Sequence, residues 1–421
     1  MCYPLSHSKN RTTTMDLNKP VRCQEDIALS ITKHLFSKED YQDKNLIFSP
    51  LSLQAVLSVM AAGSEGRTLN EILSFLGFDS VNHLTNTFSQ LVSALFSGDR
   101  LCFANGLFAD ESLPLSHSFK QLVATHYKAT VASVDFKTKR DQAYREVNLW
   151  VEKETNGLIT NLLPNGSITN LTMLIFASAM SFKGEWKHKF CPIPIKSQFH
   201  LFNGTKVTAP FMISMQKKHF ISAFDGFKVL RLSYKQGMDK TRRFSMYIFL
   251  PDANDGLFAL IEKLASESGF LKDKFPRRKV EVRQFKIPKF KISFTVQASN
   301  VLKEMGLASP FSQGVDFTKM VEGMNSPLDK LLCVNSVFHK AFIEVNEKGT
   351  VASAGTLVHV LRGHRPATVE DFVADHPFLV LIREDFSRTV LFVGQVLNPV
   401  VGADGSVTPM QVVKYSSKFR D

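Results

Sequence analysis

Few residues in this chain could take part in chemistry, and the clearest of them would be acted upon. Between two apolar runs, Phe342–Val345 (FIEV) and Pro377–Ile382 (PFLVLI), lies Asn346–Pro366, NEKGTVASAGTLVHVLRGHRP. Its Leu361-Arg362-Gly363 sets one cation before a small residue in a stretch with no helical period. That is the chemistry of a substrate, hydrolysis of the Arg362–Gly363 bond by an Arg-specific protease, with Leu361 and Val360 in the adjoining subsites. Arg365 precedes Pro366, which has no N–H and a fixed φ, so most such proteases cut poorly there. The segment offers one good scissile bond.

Catalytic groups are harder to find. Ala62–Gly66 (AGSEG) is not a G-x-S-x-G elbow, and it follows a helical pattern instead of a strand. The chain has no H-E-x-x-H, Walker A loop or G-x-G-x-x-G. His359 and His364 are poorly spaced for a metal. Isolated histidines such as His126 and His339 read as buried hydrogen-bonding residues. The expectation is a protein that is not an enzyme, with no catalytic residue, metal or cofactor.

The stretch before Arg362 reads as a latent strand. In an extended chain alternate residues share a face. Thr350, Ala352, Ala354, Thr356, Val358 and Val360 then form a small or β-branched face, with Val351, Ser353, Gly355, Leu357 and His359 opposite. No residue from Thr350 to Leu361 carries formal charge, and none is proline, whereas a solvated linker normally has one or the other. So long a connection without structure of its own is usually functional or disordered.

The elements that must position it are legible in places. Ser49 can cap a helix with Pro50 in its first turn; Leu53, Val56, Leu57, Met60 and Ala61 form one stripe, and Gly63 a stop. Tyr144, Val147, Trp150 and Val151 share a second helical face that ends at Gly157. Met173–Phe182 is nearly all apolar, as a central strand would be. Phe244–Pro251, Val280–Phe294, Lys340–Val345, Pro377–Ile382 and Thr389–Val396 also read as strands. Helices early and strands late predict an α+β fold.

Bulk properties narrow the class. The 421 residues are 44% hydrophobic, ample for a large core. No segment approaches the length of apolar chain that spans a bilayer. The net charge of +12 is dispersed; Lys240–Arg243, Pro276–Lys279 and Lys414–Phe419 are the densest clusters, and none interleaves aromatics. A nucleic-acid partner is therefore not expected. Five scattered cysteines without a C-x-x-C pair predict free thiols and a reducing compartment. The polar first twenty residues lack an apolar signal core, so a cytoplasmic or nuclear location is expected. Met15 is an alternative start.

From about Asp26 to Pro399 the chain resembles the serpins, above all plant serpins with a Leu-Arg-small reactive centre. The resemblance rests on Asn45–Leu53 (NLIFSPLSL), Phe182–Phe190 (FKGEWKHKF), Ala209–Met212 (APFM) and Tyr247–Asp252 (YIFLPD). It continues in His339–Thr350 (HKAFIEVNEKGT), Phe372–Ile382 (FVADHPFLVLI) and Leu391–Pro399 (LFVGQVLNP). It implies one domain of three β-sheets with about nine helices and an exposed reactive-centre loop. The expected layout is a flexible extension over 1–25, a domain over 26–401 with its loop at about 347–371, and a tail over 402–421.

It also implies a suicide mechanism, in which the cleaved loop inserts into the main sheet and carries the acylated protease with it. The native state is then kinetically trapped above a more stable one. Carried over by position, Arg362 and Gly363 form the reactive bond. Glu347, Gly349, Thr350, Ala352, Ser353, Ala354 and Gly355 form the hinge. Ser49, Ser52, Ser178 and His339 form a polar cluster beneath the opening sheet. Trp186 stands where the loop first enters, with Lys289 placed to pair with Glu347.

Three departures follow. Gly349 to Arg362 is 362 − 349 = 13 steps, one fewer than usual in the family. Val351 replaces a usual Glu. Ser178 and Ser181 replace a usual Asn and Tyr, and with Ser178 the bond to His339 is expected to be lost or water-bridged. The implied partners of this monomer are trypsin-like, papain-like or metacaspase-type proteases that cleave after Arg. The alternative is a non-inhibitory serpin that is merely cut, or one that binds other proteins as a chaperone would. Residues 79–100 hold only His83 and Arg100 as basic groups, so a glycosaminoglycan cofactor is not expected.

Overall fold

The computed structural model describes residues 18–96, 100–237, 239–267, 269–323, 332–350 and 369–401. In chain order the first elements are α1 Asn18–Phe36, β1 Leu46–Phe48, α2 Pro50–Gly63, α3 Gly66–Leu76, α4 Val81–Leu95 and β2 Leu101–Asp110. Next come α5 His117–Tyr127, β3 Thr130–Val134, α6 Arg140–Glu154, β4 Leu174–Phe182 and β5 Gly184–Glu185. Then follow β6 Ile195–His200, β7 Lys206–Ile213, β8 Lys218–Phe224, β9 Phe227–Ser233, β10 Phe244–Pro251 and α7 Leu257–Ser266. The last are β11 Lys279–Pro288, β12 Phe290–Gln297, α8 Ala298–Glu304, β13 Ser336–Val345, β14 Gly349–Thr350, β15 Val369–Val373, β16 Phe378–Glu384 and β17 Val390–Val396.

The strands form two hydrogen-bonded sheets among the described residues, where three were expected. A seven-stranded sheet runs β3-β2-β4-β13-β14-β5, with β12 also paired to β13. A ten-stranded sheet runs β1-β17-β16-β10-β9-β8-β11-β7-β6, with β15 on β11. The merger has a local cause. The start of β11 (Lys279–Glu281) pairs with β8, and its end (Lys286–Pro288) pairs with β7. One strand thus joins two ladders into one. The helix count among the described residues is eight, against about nine expected; Phe270–Asp273 is a 3₁₀ turn.

Helix α2 begins as its sequence dictates. The Ser49 hydroxyl accepts the Ser52 N–H, and Pro50 fills the first turn, where its missing N–H has no partner to lose. All of α2 is buried, which suits its apolar composition and puts it at the centre of the molecule. The main core joins α1–α5 to both sheets, and a smaller one lies under α6. There Val147 and Val151 pack on Phe108, Ile175, Ala177 and Phe338, so α6 covers the outer face of β2, β4 and β13.

The expected flexible extension over 1–25 is corrected at its end. Helix α1 starts at Asn18 because its residues have partners in the sheet. Gln24 exchanges two hydrogen bonds with the backbone of Val390, and Glu25 lies 3.3 Å from Arg383. The expected single run Val280–Phe294 is two strands in different sheets, β11 and β12, parted at Lys289. Among the described residues Cys102, Cys191 and Cys333 carry free thiols. No helix there is long and apolar enough to cross a membrane.

Candidate functional site

Strand β13 ends at Val345, reverses over Asn346–Gly349, and returns as β14. Asn346 and Gly349 exchange backbone hydrogen bonds of 3.0 and 3.2 Å, and Asn346 Oδ1 accepts from Lys348 N–H at 3.0 Å. An Asn side chain bonding two residues ahead stabilises such a turn. Strand β14 is only Gly349 and Thr350, yet it is paired on both sides. Thr350 faces Val345 of β13, while Gly349 and Thr350 face Glu185 and Gly184 of β5. Glycine is required at 349, because a Cβ there would lie 2.0 Å from the Gly184 carbonyl oxygen.

Aromatic side chains hold this hairpin. The Trp186 N–H donates to Lys348 O at 2.9 Å, and its indole N–H donates to Asn346 O at 2.8 Å. The indole stacks on Tyr234 at 4.6 Å between ring centres. Tyr234 is buried and its hydroxyl lies 2.8 Å from Thr350 Oγ1, with Thr350 fully buried. Burial pushes the Tyr234 phenol up, so it stays protonated. Lys289 sits 2.8 Å from Glu347, closing the outer side as an ion pair. Tyr234 and Asn346 were not singled out in the sequence. Tyr234 lies in no motif and Asn346 was not picked out within His339–Thr350, and only the return of β13 on itself brings them to Thr350 and Trp186.

Beyond this mouth, β4 and β13 are parallel neighbours over seven pairs, from Ser336↔Ile175 to Phe342↔Ser181. At the centre His339 stands opposite Ser178. The Ser49 N–H donates to His339 Nε2 at 2.9 Å, so the ring proton sits on Nδ1, which reaches Ser178 Oγ at 3.0 Å. Ser178 and Ser52 hydroxyls are 2.6 Å apart. The expected loss of the Ser178–His339 bond is therefore corrected: the shorter side chain still reaches, because the parallel register places the two residues directly opposite. Ser181 differs. Its buried hydroxyl has no hydrogen-bond partner among the described residues. Desolvation holds the His339 ring neutral, with its pKa lowered to about 3.

The described residues thus bring together Ser49, Ser52, Ser178 and His339 in one cluster, and Trp186, Lys289, Glu347, Gly349 and Thr350 in another. Ala352, Ser353, Ala354, Gly355, Val360, Leu361, Arg362 and Gly363 lie outside the described residues.

This arrangement seats the short strand β14 between β5 and β13. Continuing β14 in its own direction would run the chain between β4 and β13. The serpin (serine protease inhibitor) family model matches residues 22–399. The chain is 50% identical over 395 residues to Serpin-ZX of Arabidopsis thaliana, covering 92% of this chain and 100% of that protein. It is 46% identical to Serpin-Z1B of Triticum aestivum, covering 93% and 99%. The solved structure of Arabidopsis AtSerpin1 in its native stressed conformation superposes with a TM-score of 0.83 at 48% identity, over 91% of this chain and 99% of that one. A strand poised to enter a sheet, on this fold and with these relatives, makes the chain a member of the serpin family of protease inhibitors.

Proposed function

We propose that this serpin acts inside the cell as a suicide substrate, cleaved after Arg362, that traps Arg-specific serine or cysteine proteases as a covalent acyl complex. The observation that carries this reading is the seating of Gly349 and Thr350 between β5 and β13. The small face that continues through Ala352 and Ala354 has the parity to follow them.

The chemistry is that of the protease as far as the acyl-enzyme. Its hydroxyl or thiolate attacks the Arg362 carbonyl, the Arg362–Gly363 C–N bond breaks, and the Gly363 amine leaves with a proton. The serpin then separates β4 from β13 and inserts the released strand, an intramolecular β-augmentation that gains main-chain hydrogen bonds on both sides. A protease drawn along with the ester or thioester loses the geometry needed to hydrolyse it.

Leu361 suits the apolar preference of papain-like proteases beside the cleaved residue, and Arg362 suits trypsin-like and metacaspase-type enzymes. Free thiols favour a cytoplasmic or nuclear site of action. A monomer with one domain over 26–401 and a tail beyond it fits this role.

The test mixes the full chain with trypsin, and separately with a papain-like protease, and follows the products on denaturing gels over minutes. A band near the summed masses is expected, absent in Arg362→Ala. Clean cleavage after Arg362 without that band would overturn inhibition in favour of a non-inhibitory serpin, with the short Gly349-to-Arg362 spacing as the reason.

A further inference from the structure

Strand β3 begins at Thr130, opposite Gly106, so the start of β2, Leu101–Asn105, has no strand on that edge among the described residues. Beside this free edge, between the ends of α4 and α6 and the turn before β3, lies a cavity of about 510 Å³. Phe96 and Phe103 line part of it, stacked at 4.7 Å between ring centres. Its charged groups are Lys128, Lys183 and Glu154, and none of them has an ion-pair partner among the described residues. Cys102, a free thiol, lines it as well.

Two further observations single this thiol out. The Asn156 side-chain N–H donates to Cys102 Sγ at 3.3 Å. Asn156 follows α6 with a φ of 51°, a left-handed geometry that asparagine tolerates, and there its amide meets the sulfur. Ser181 stands directly opposite Cys102 in the antiparallel pairing of β2 with β4, so the two side chains share one face of the sheet. The Ser181 hydroxyl is fully buried and has no partner among the described residues. Opposed side chains in such a pair lie about 4.5–5.5 Å apart at Cβ, so a polar group bonded to Cys102 would come within reach of that hydroxyl. A buried hydroxyl left alone costs free energy until such a group meets it.

Two unpaired ammonium groups, one unpaired carboxylate and a thiol are the complement of a small acidic peptide that carries sulfur. Glutathione has two carboxylates, one ammonium and one sulfur. We propose that this cavity takes up glutathione disulfide and that Cys102 is thereby converted to a mixed disulfide with glutathione. The Cys102 thiolate attacks one sulfur of the disulfide. A new S–S bond forms as the old one breaks, and the second glutathione leaves as a thiolate that takes up the proton Cys102 gave up. Excess reduced glutathione reverses the step. The volume lies within the range of about 300–1,000 Å³ typical of small-molecule sites. Arg362 plays no part, so this site and the protease-trapping reading stand or fall separately.

The test treats the full chain near neutral pH with glutathione disulfide, and separately with cystamine, a disulfide with two ammonium groups and no carboxylate. Peptide mapping after an acid quench gives the rate at each cysteine. Cys102 is buried whereas Cys191 and Cys333 are partly exposed, so exposure alone would make Cys102 the slowest of the three. The ratio of its rate with glutathione disulfide to its rate with cystamine is expected to exceed the same ratio at Cys191 and Cys333 by about tenfold, the worth of two exposed ion pairs. Lys128→Gln combined with Lys183→Gln should erase that excess and leave Cys191 and Cys333 unchanged. No adduct at Cys102, a ratio no higher there than at the other two, or an excess that survives loss of both lysines would overturn the proposal.

Discussion

Thr350→Arg is expected to abolish the covalent protease complex while leaving cleavage after Arg362 intact. Thr350 is fully buried, paired to Val345 on one side and Gly184 on the other, with its hydroxyl on Tyr234. The hydrogen-bond partner of its side chain is the neutral Tyr234 hydroxyl, which cannot offset a guanidinium charge. An uncompensated buried charge costs several kcal/mol, and each 1.4 kcal/mol is tenfold, so the ratio of trapped to cleaved product should fall by about 100-fold or more. The strand must enter through this position, so whatever stops Thr350 stops every residue behind it. The loop would still present Arg362, and the acyl-enzyme would be hydrolysed before insertion. The measurement is the ratio of complex to cleaved band on a denaturing gel, with Thr350→Ser as a control that keeps the hydroxyl. An unchanged ratio in Thr350→Arg would sink the idea that insertion starts at β14.

The second large effect is on stability in acid. His339 is buried and neutral, with a pKa lowered to about 3, whereas an unfolded chain holds a histidine near 6.5. Above about 6.5 both states leave it neutral and its contribution is intact. As pH falls from there towards 3, the unfolded chain takes up a proton that the folded one refuses. Stability should therefore decline by about 1.4 kcal/mol per pH unit from this residue alone. His219, lowered to about 4, acts in the same direction over most of that window. The structural reason is visible at Nε2. A proton there would point at the Ser49 N–H, which already donates to it. Melting temperatures across this range should show the decline, and His339→Gln should show a shallower one by the share of a single proton. Identical pH slopes in the two proteins would mean that His339 does not set the acid limit.

How much of this was written in the residues varies from element to element. Helix α2 was legible to its ends, since cap, proline, stripe and closing glycine all lie within it. Strand β10 was legible as Phe244–Pro251 because a strand buried on both faces reads as a nearly continuous apolar run, interrupted here by Ser245. The division of Val280–Phe294 was not. The apolar positions change parity at Pro288 and Lys289, from Phe285 and Ile287 to Phe290, Ile292 and Phe294, but a period of two records which face a residue shares, not which sheet it joins. The same holds for β11, whose two ends pair with different neighbours and so merge ladders that the resemblance kept apart.

At the site, Ser49 was legible as a helix cap and His339 as a buried hydrogen-bonding histidine, while Ser52, Ser178, Trp186 and the pairing of Lys289 with Glu347 came through the resemblance. Tyr234 lies in an ordinary stretch, and its role exists only once Thr350 is folded against it. The Ser178–His339 bond was misjudged because side-chain length was weighed without the register that sets the distance.

One further consequence lies in where the chain would be severed. Everything after Arg362 includes β15, β16 and β17. Strand β16 is hydrogen-bonded between β10 and β17, β17 lies between β16 and β1, and both are buried throughout. Each buried aliphatic or aromatic side chain there is worth about 1.5–3 kcal/mol of removal from water. A nick at Arg362 should therefore release nothing: the two pieces would elute as one particle in size-exclusion chromatography and separate only in denaturant. The covalent bond that the protease breaks contributes nothing to holding the molecule together.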